Sequence, residues 1–189
     1  MSPNKCMQKG ILKGPSLGYT DNFPEREMWR EISKLYNGEF KIKHNSGNEL
    51  EIHNISIPYK NWNIEISISD THPLKFESNF NTLQNFELFI FWEGFIDRVY
   101  KWFGKKEIEI GWEKFDRFYF IQSKKPQLVR ELLTSEIQKT LLKNKVYSVI
   151  FNTDNKKNKS KIISVIRREA GDKDSIIELI EMHKNLFDT

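Results

Sequence analysis

Apolar and polar positions change their spacing several times along the chain, and each change marks a boundary between elements. From Pro24 to Gly38 the apolar residues Met28, Trp29, Ile32, Leu35 and Tyr36 recur at helical spacing. Pro24 suits the first turn of a helix, Glu25 and Glu27 suit its positive end, and Gly38 is placed to terminate it. The period then becomes two. Residues 39–44 and 49–55 read as a hairpin around a turn at 45–48, and 62–69 alternates Trp62, Ile64, Ile66 and Ile68 with Asn63, Glu65, Ser67 and Ser69. That alternation predicts an antiparallel strand with one wet face. A further strand spans 74–80. Residues 86–92 are apolar at both parities, which predicts an inner strand covered on both sides.

Residues 94–104 fit a short helix closed by Gly104, and 107–110 returns to strand. A strand is predicted from Phe115 to Ile121. In a regular strand Asp116 and Arg117 point to opposite faces, so they would not work as a pair. Pro126 opens a helix carrying Leu128, Val129, Leu132 and Leu133, and Thr134 or Ser135 caps the next. Residues 146–151 and 161–168 form a hairpin, and 174–187 is a last amphipathic helix with Asp172 or Asp174 near its start. Strands cluster in the middle, with helices at both ends and between. The fold class read from this order is α+β with a largely antiparallel sheet. Residues 1–22, with Gly10, Gly14, Gly18, Pro3 and Pro15, read as an irregular arm, and 23–189 as a single domain.

The segment EIEIGWEKFDRFYFIQSKKPQLVRELLTSEIQKTLL resembles a bacterial family of uncharacterised domains. That pattern has a glycine, a polar pair, Phe-Asp, an aromatic strand, a serine, a spacer with proline and a Leu-Leu-Thr helix. Gly111, Phe115, Asp116, Phe118, Ser123, Pro126, Leu132, Leu133 and Thr134 match it. The likeness covers about residues 40–145, since the upstream strands follow a similar layout. It implies no established activity. Some members carry membrane helices ahead of the domain, and Trp112 stands where a small acidic residue is more usual.

Composition adds limits. With 14 Phe and 5 Trp among 189 residues, the chain has ample apolar area for a core. Residues 1–100 hold 11 Lys or Arg against 13 Asp or Glu, so the net charge of +4 comes from the second half. A basic half permits an anionic partner without requiring one. Cys6 is the single cysteine, so no internal disulfide forms, which fits a cytoplasmic protein. No stretch reaches the length of a membrane helix, and the N-terminal stretch lacks the apolar run of a secretory signal.

The candidate chemistry is thin. Asp70, Thr71, His72 and Pro73 form the most enzyme-like tetrad, a carboxylate and an imidazole two apart, but the composition is also that of an ordinary turn. Asp116 is the other candidate catalytic residue. Its plainer reading is a side chain that accepts backbone N–H groups at a turn. The four histidines show no short-spaced cluster and read as surface residues. His44 and His53 meet across the hairpin, but two ligands do not make a zinc site. No phosphate-binding glycine loop occurs, and no cofactor or metal is implied. Lys156, Lys157, Lys159, Lys161, Arg167 and Arg168 form the best basic cluster, which suits nucleic acid or, more plainly, a solvated hairpin tip. The aromatics Phe86, Phe89, Phe91, Trp92, Phe95 and Tyr100 serve a core or, if one face is open, a groove for a partner. The reading that follows is a domain that acts by protein binding or regulation without catalysis. The alternatives are a hydrolase-type enzyme using Asp70 and His72, with Asp116, and a nucleic-acid binder using the basic hairpin.

Overall fold

A computed structural model describes residues 23–44, 51–69, 71–81, 85–93, 107–154, 158–167 and 172–186. The predicted arm (1–22), the turn at 45–48 and the helix at 94–104 lie outside the described residues, as do Cys6, Asp70, Lys156, Lys157 and Arg168.

Helix α1 (Phe23–Leu35) turns Trp29, Ile32 and Ser33 inward. Leu35, expected on the same face, is 59% exposed, because helical spacing carries it past the edge of the buried stripe. The helix ends in a Schellman turn: Gly38 N–H donates to Ser33 O at 2.7 Å and Asn37 N–H to Lys34 O at 3.2 Å. Asn37, at φ 52°, takes the left-handed position. Gly38 is required for a different reason, since a Cβ there would stand 2.5 Å from Ser56 O.

Strands β1 (Glu39–His44), β2 (Glu51–Tyr59), β3 (Trp62–Ser69) and β4 (Leu74–Asn81) form an antiparallel meander. Strand β5 (Leu88–Trp92) follows. The segment 107–110, expected as a strand, is not one; it meets β6 through the bond from Ile108 N–H to Ile121 O at 2.9 Å. The strand expected to begin at Phe115 starts only at Tyr119. A one-turn helix, α2 (Glu113–Asp116), precedes β6 (Tyr119–Ser123), because Asp116 turns back to bond Ile110 and Gly111. Helices α3 (Pro126–Leu132) and α4 (Ser135–Lys143) follow, the latter capped by the Thr134 side chain. Hairpin β7 (Val146–Asp154) and β8 (Lys159–Ile166) precedes α5 (Lys173–Asn185), whose N-cap is Asp172.

All eight strands form one antiparallel sheet in the order β1-β2-β3-β4-β8-β7-β5-β6. The predicted α+β class holds. The chain reaches the far half of the sheet through β4–β8, a pairing of segments some 85 residues apart in sequence, such as Phe76 with Ser164. Strand β5 lies between β7 and β6, an inner position that matches its apolar pattern.

Alternation fixes the two faces. Ile55 stands opposite Ile66 and Ile57 opposite Ile64, all buried on the inner face. Helix α1 lies over β1 and β2, and α5 packs between α1 and α4. Of the described aromatics of the 86–92 region, Phe86 is buried in the core and Trp92 packs against it, its ring 5.2 Å from that of Tyr119, whereas Phe89 and Phe91 lie on the opposite face of β5 with their rings stacked at 6.4 Å. The outer face over β3 and β4 is polar, with Glu77 held between Lys75 at 3.1 Å and Lys161 of β8 at 2.8 Å. Those two ammonium groups and Asn79 outweigh the desolvation of Glu77 and lower its pKa to about 2. Among the described residues, no helix is long and apolar enough to cross a membrane.

Two of the histidines expected at the surface are buried. His183 of α5 has no solvent exposure, and His53 has almost none. Helical and strand periodicity places each on an inward stripe, and a neutral imidazole is tolerated there once its nitrogens find partners.

Candidate functional site

A concavity among the described residues lies beside edge strand β6. It is built by the segment Glu107–Asp116. Ile108 is buried against β6, while Glu107 and Glu109 project away from it. Gly111 turns the chain at φ 98°, and α2 then buries Phe115 against the Tyr119 ring at 4.7 Å. Asp116 closes the loop. Its Oδ1 accepts from Ile110 N–H at 2.9 Å and its Oδ2 from Gly111 N–H at 2.8 Å. One carboxylate therefore holds residues 107–111 as a strap along the sheet edge.

The opposite wall is the corner between β6 and α3. Ser123 Oγ donates to Glu87 O and accepts from Lys125 N–H, so the chain leaves the sheet at a fixed angle before Pro126 starts α3. Arg130 reaches back and donates to Glu109 O at 3.2 Å. Between strap and corner lies a cleft of about 860 Å³. Glu107, Ile108 and Glu109 line one side, and Ser123, Lys124, Pro126 and Arg130 the other.

The charge of this cleft is uneven in availability. Lys124 is paired with Glu87 at 2.9 Å, and Arg130 is engaged by a carbonyl. Among the described residues, the carboxylates of Glu107 and Glu109 have neither an ion pair nor a hydrogen bond. Partial desolvation raises the pKa of Glu107, and the carboxylates of Glu93, Glu109 and Asp116 raise it further. A cation entering the cleft would offset that repulsion.

Among the described residues, the candidates His72 and Asp116 do not converge. His72 sits in the β3–β4 turn, where its Nδ1 lies 3.0 Å from Ser69 Oγ and 2.9 Å from Thr71 Oγ1. From β4 to β6 there are four strand spacings. That puts His72 and Asp116 roughly 19 Å apart across the sheet, too far for a shared proton transfer. Of the basic cluster, Lys159, Lys161 and Arg167 share the outer face, and Lys161 is committed to Glu77. His44 and His53 meet a common group: their Nε2 atoms stand 3.7 and 3.3 Å from Glu51, which also pairs with Arg26. The Arg26 and His53 contacts outweigh the desolvation of Glu51 and lower its pKa. This cluster fastens the start of α1 to the β1–β2 hairpin. No group of three or more His, Cys, Asp or Glu among the described residues is arranged to hold a metal ion.

Sequence reasoning missed Glu107, Glu109 and Arg130. The signal is present in the alternation of Glu and Ile at 107–110, which reads as a strand and does not reveal what the glutamates face.

The fold has a solved counterpart. The crystal structure of the mycobacterial trehalose monomycolate transport factor A, TtfA, matches with a TM-score of 0.55 at 7% identity, over 89% of this chain and 94% of that one. At that identity the likeness shows the fold alone. No family model matches this chain, and none of the curated proteins does.

Proposed function

We propose that this protein is a non-catalytic binding factor whose cleft beside β6 receives a basic side chain of a partner protein. One observation carries the reading: Glu107 and Glu109 face the cleft without partners, while its two cations are already engaged. An incoming Lys or Arg would gain charge-assisted bonds and relieve the repulsion that raises the pKa of Glu107. The distance between His72 and Asp116 supports a role without catalysis. So does the fold neighbour, which is named a transport factor. The family resemblance over residues 40–145 belongs to the same proposal and brings no activity with it. A cytoplasmic location belongs to the same proposal; a single cysteine, Cys6, which can form no internal disulfide, is consistent with it.

The test is a two-dimensional NMR titration with a short peptide containing Arg and Lys, beside a control peptide with Gln in their place. The amides of 107–110 and 121–130 should shift with the basic peptide alone, and Glu107→Gln/Glu109→Gln protein should lose the response. Equal shifts with both peptides, or none at millimolar peptide, would refute it.

A further inference from the structure

The two edges of the sheet are finished differently. At β6 the strap of residues 107–111 lies along the edge and is tied down by Asp116 and Arg130. At the other end β1 pairs with β2 on one side and, among the described residues, with nothing on the other. An open edge presents unpaired N–H and C=O groups to any strand that fits.

From the face alternation and charge order of β1, we propose that this edge is a self-association surface that pairs antiparallel with β1 of a second copy. Register in a sheet is constrained by face, because residues opposite one another share a side. Glu39, Lys41 and Lys43 lie on the outer face and are exposed; Phe40 and Ile42 lie on the inner face and are half-buried. A two-fold axis must therefore pass through a residue. Centred on Ile42, the pairing sets Lys41 against Lys43 of the second copy twice, which is repulsive. Centred on Lys41, it sets Glu39 against Lys43 of the second copy twice and Phe40 against Ile42 twice. Lys41 then faces its own equivalent, and each Lys41 already has Glu39 at 2.7 Å. Lys43 has no partner among the described residues, so its charge is available. Centred on Phe40, the pairing again opposes charges, Glu39 with Lys41 of the second copy, but it sets Ile42 against Gly38 and leaves Lys43 opposite Asn37, outside the strand; the Lys41-centred register is the one that uses Lys43 and pairs the apolar residues with each other.

Five residues from each copy make a small interface, so the dimer is weak and reversible. It also has a geometric consequence. Strand β6 is at the far end of each half, so the two clefts would stand fifteen strand spacings apart, on the order of 70 Å along the sheet. The pairing itself does not depend on the cleft reading.

The experiment is sedimentation velocity of the full chain over a concentration series at low salt. The wild type should show a monomer–dimer equilibrium. Lys43→Glu, which opposes Glu39 with Glu twice, should weaken it by about tenfold or more. The exchanged variant Glu39→Lys/Lys43→Glu should recover affinity to within about threefold of wild type, which a folding defect would not do. Hydrogen exchange should slow at β1 amides as concentration rises. A wild type that stays monomeric throughout, or an exchanged variant as weak as the single one, would overturn the proposal.

Discussion

Acidification should destabilise this fold through one side chain before most carboxylates respond. His183 is enclosed between α5 and the sheet, with Nε2 3.1 Å from Ser78 Oγ and Nδ1 3.3 Å from Ser164 Oγ. Two hydroxyls suit a neutral imidazole, one accepting its N–H and one donating to its bare nitrogen. Burial lowers its pKa from 6.5 to about 3. In the unfolded chain the same imidazole takes up a proton near pH 6.5. Between the two values the unfolded state binds more protons, so stability is fully present above pH 6.5 and declines as pH falls toward 3. At about 1.36 kcal/mol per pH unit, the loss is about 2 kcal/mol at pH 5 relative to pH 7.5, with a ceiling near 5 kcal/mol below pH 3.

Urea unfolding of wild type and His183→Gln, at constant ionic strength from pH 7.5 to 5.0, measures this directly. Glutamine keeps hydrogen-bonding capacity and does not titrate. The variant should be less stable at pH 7.5, and the gap should close by about 2 kcal/mol by pH 5, because only the wild type loses the histidine contribution. Other groups titrate in both proteins and cancel in the difference. If the variant is too unstable to compare, the ring-proton shift of His183 in wild type serves instead and should stay flat down to pH 5. Parallel stability curves, or a His183 ring that titrates above pH 6, would refute the reasoning.

Asp116→Ala removes the acceptor for two strap amides and should cost about 2–3 kcal/mol in urea unfolding, with Asp116→Asn intermediate. The amides of Ile110 and Gly111 should then exchange much faster with solvent, and unchanged protection would show that the strap is held by something else. Gly38→Ala places a methyl group against Ser56 O and should destabilise by about 1–3 kcal/mol; a wild-type melting temperature would mean that the turn relaxes freely.

Much of the architecture was legible because it rests on local chemistry. Alternation in 62–69 gave both faces of β3, and Pro126 and Thr134 marked helix starts that the structure keeps. Where the reading failed, a distant or competing contact decided. FDRFYFI is apolar enough for one continuous strand, yet the bonds from Asp116 to Ile110 and Gly111 wind its first residues into α2. Leu35 fits a helical stripe in sequence but lies beyond the area that the sheet covers. His183 looks like a polar residue near a helix end, and only the approach of β4 and β8 turns it into a core group. The cleft was illegible for the same reason: its walls come from segments on either side of β6, and alternation names faces, not neighbours.

The β4–β8 pairing explains why a polar group is buried at the centre of an otherwise apolar layer. Every other neighbouring pair in the meander β1–β4, and the β7–β8 hairpin, has its register set by a short connection. The β4–β8 seam has no such guide, because some 77 residues separate the end of β4 from the start of β8. Apolar alternation excludes a slip by one residue, which would turn the oily face outward. It does not exclude a slip by two, which keeps the faces and exchanges one apolar contact for another. Serine is the exception on these strands. His183 bonds Ser78 on β4 and Ser164 on β8 together, so a slip by two leaves at least one imidazole nitrogen facing a hydrocarbon. An unpartnered buried nitrogen costs about 1–3 kcal/mol, more than most surface contacts contribute. The histidine thus fixes a register that neither the hydrophobic pattern nor a turn can choose.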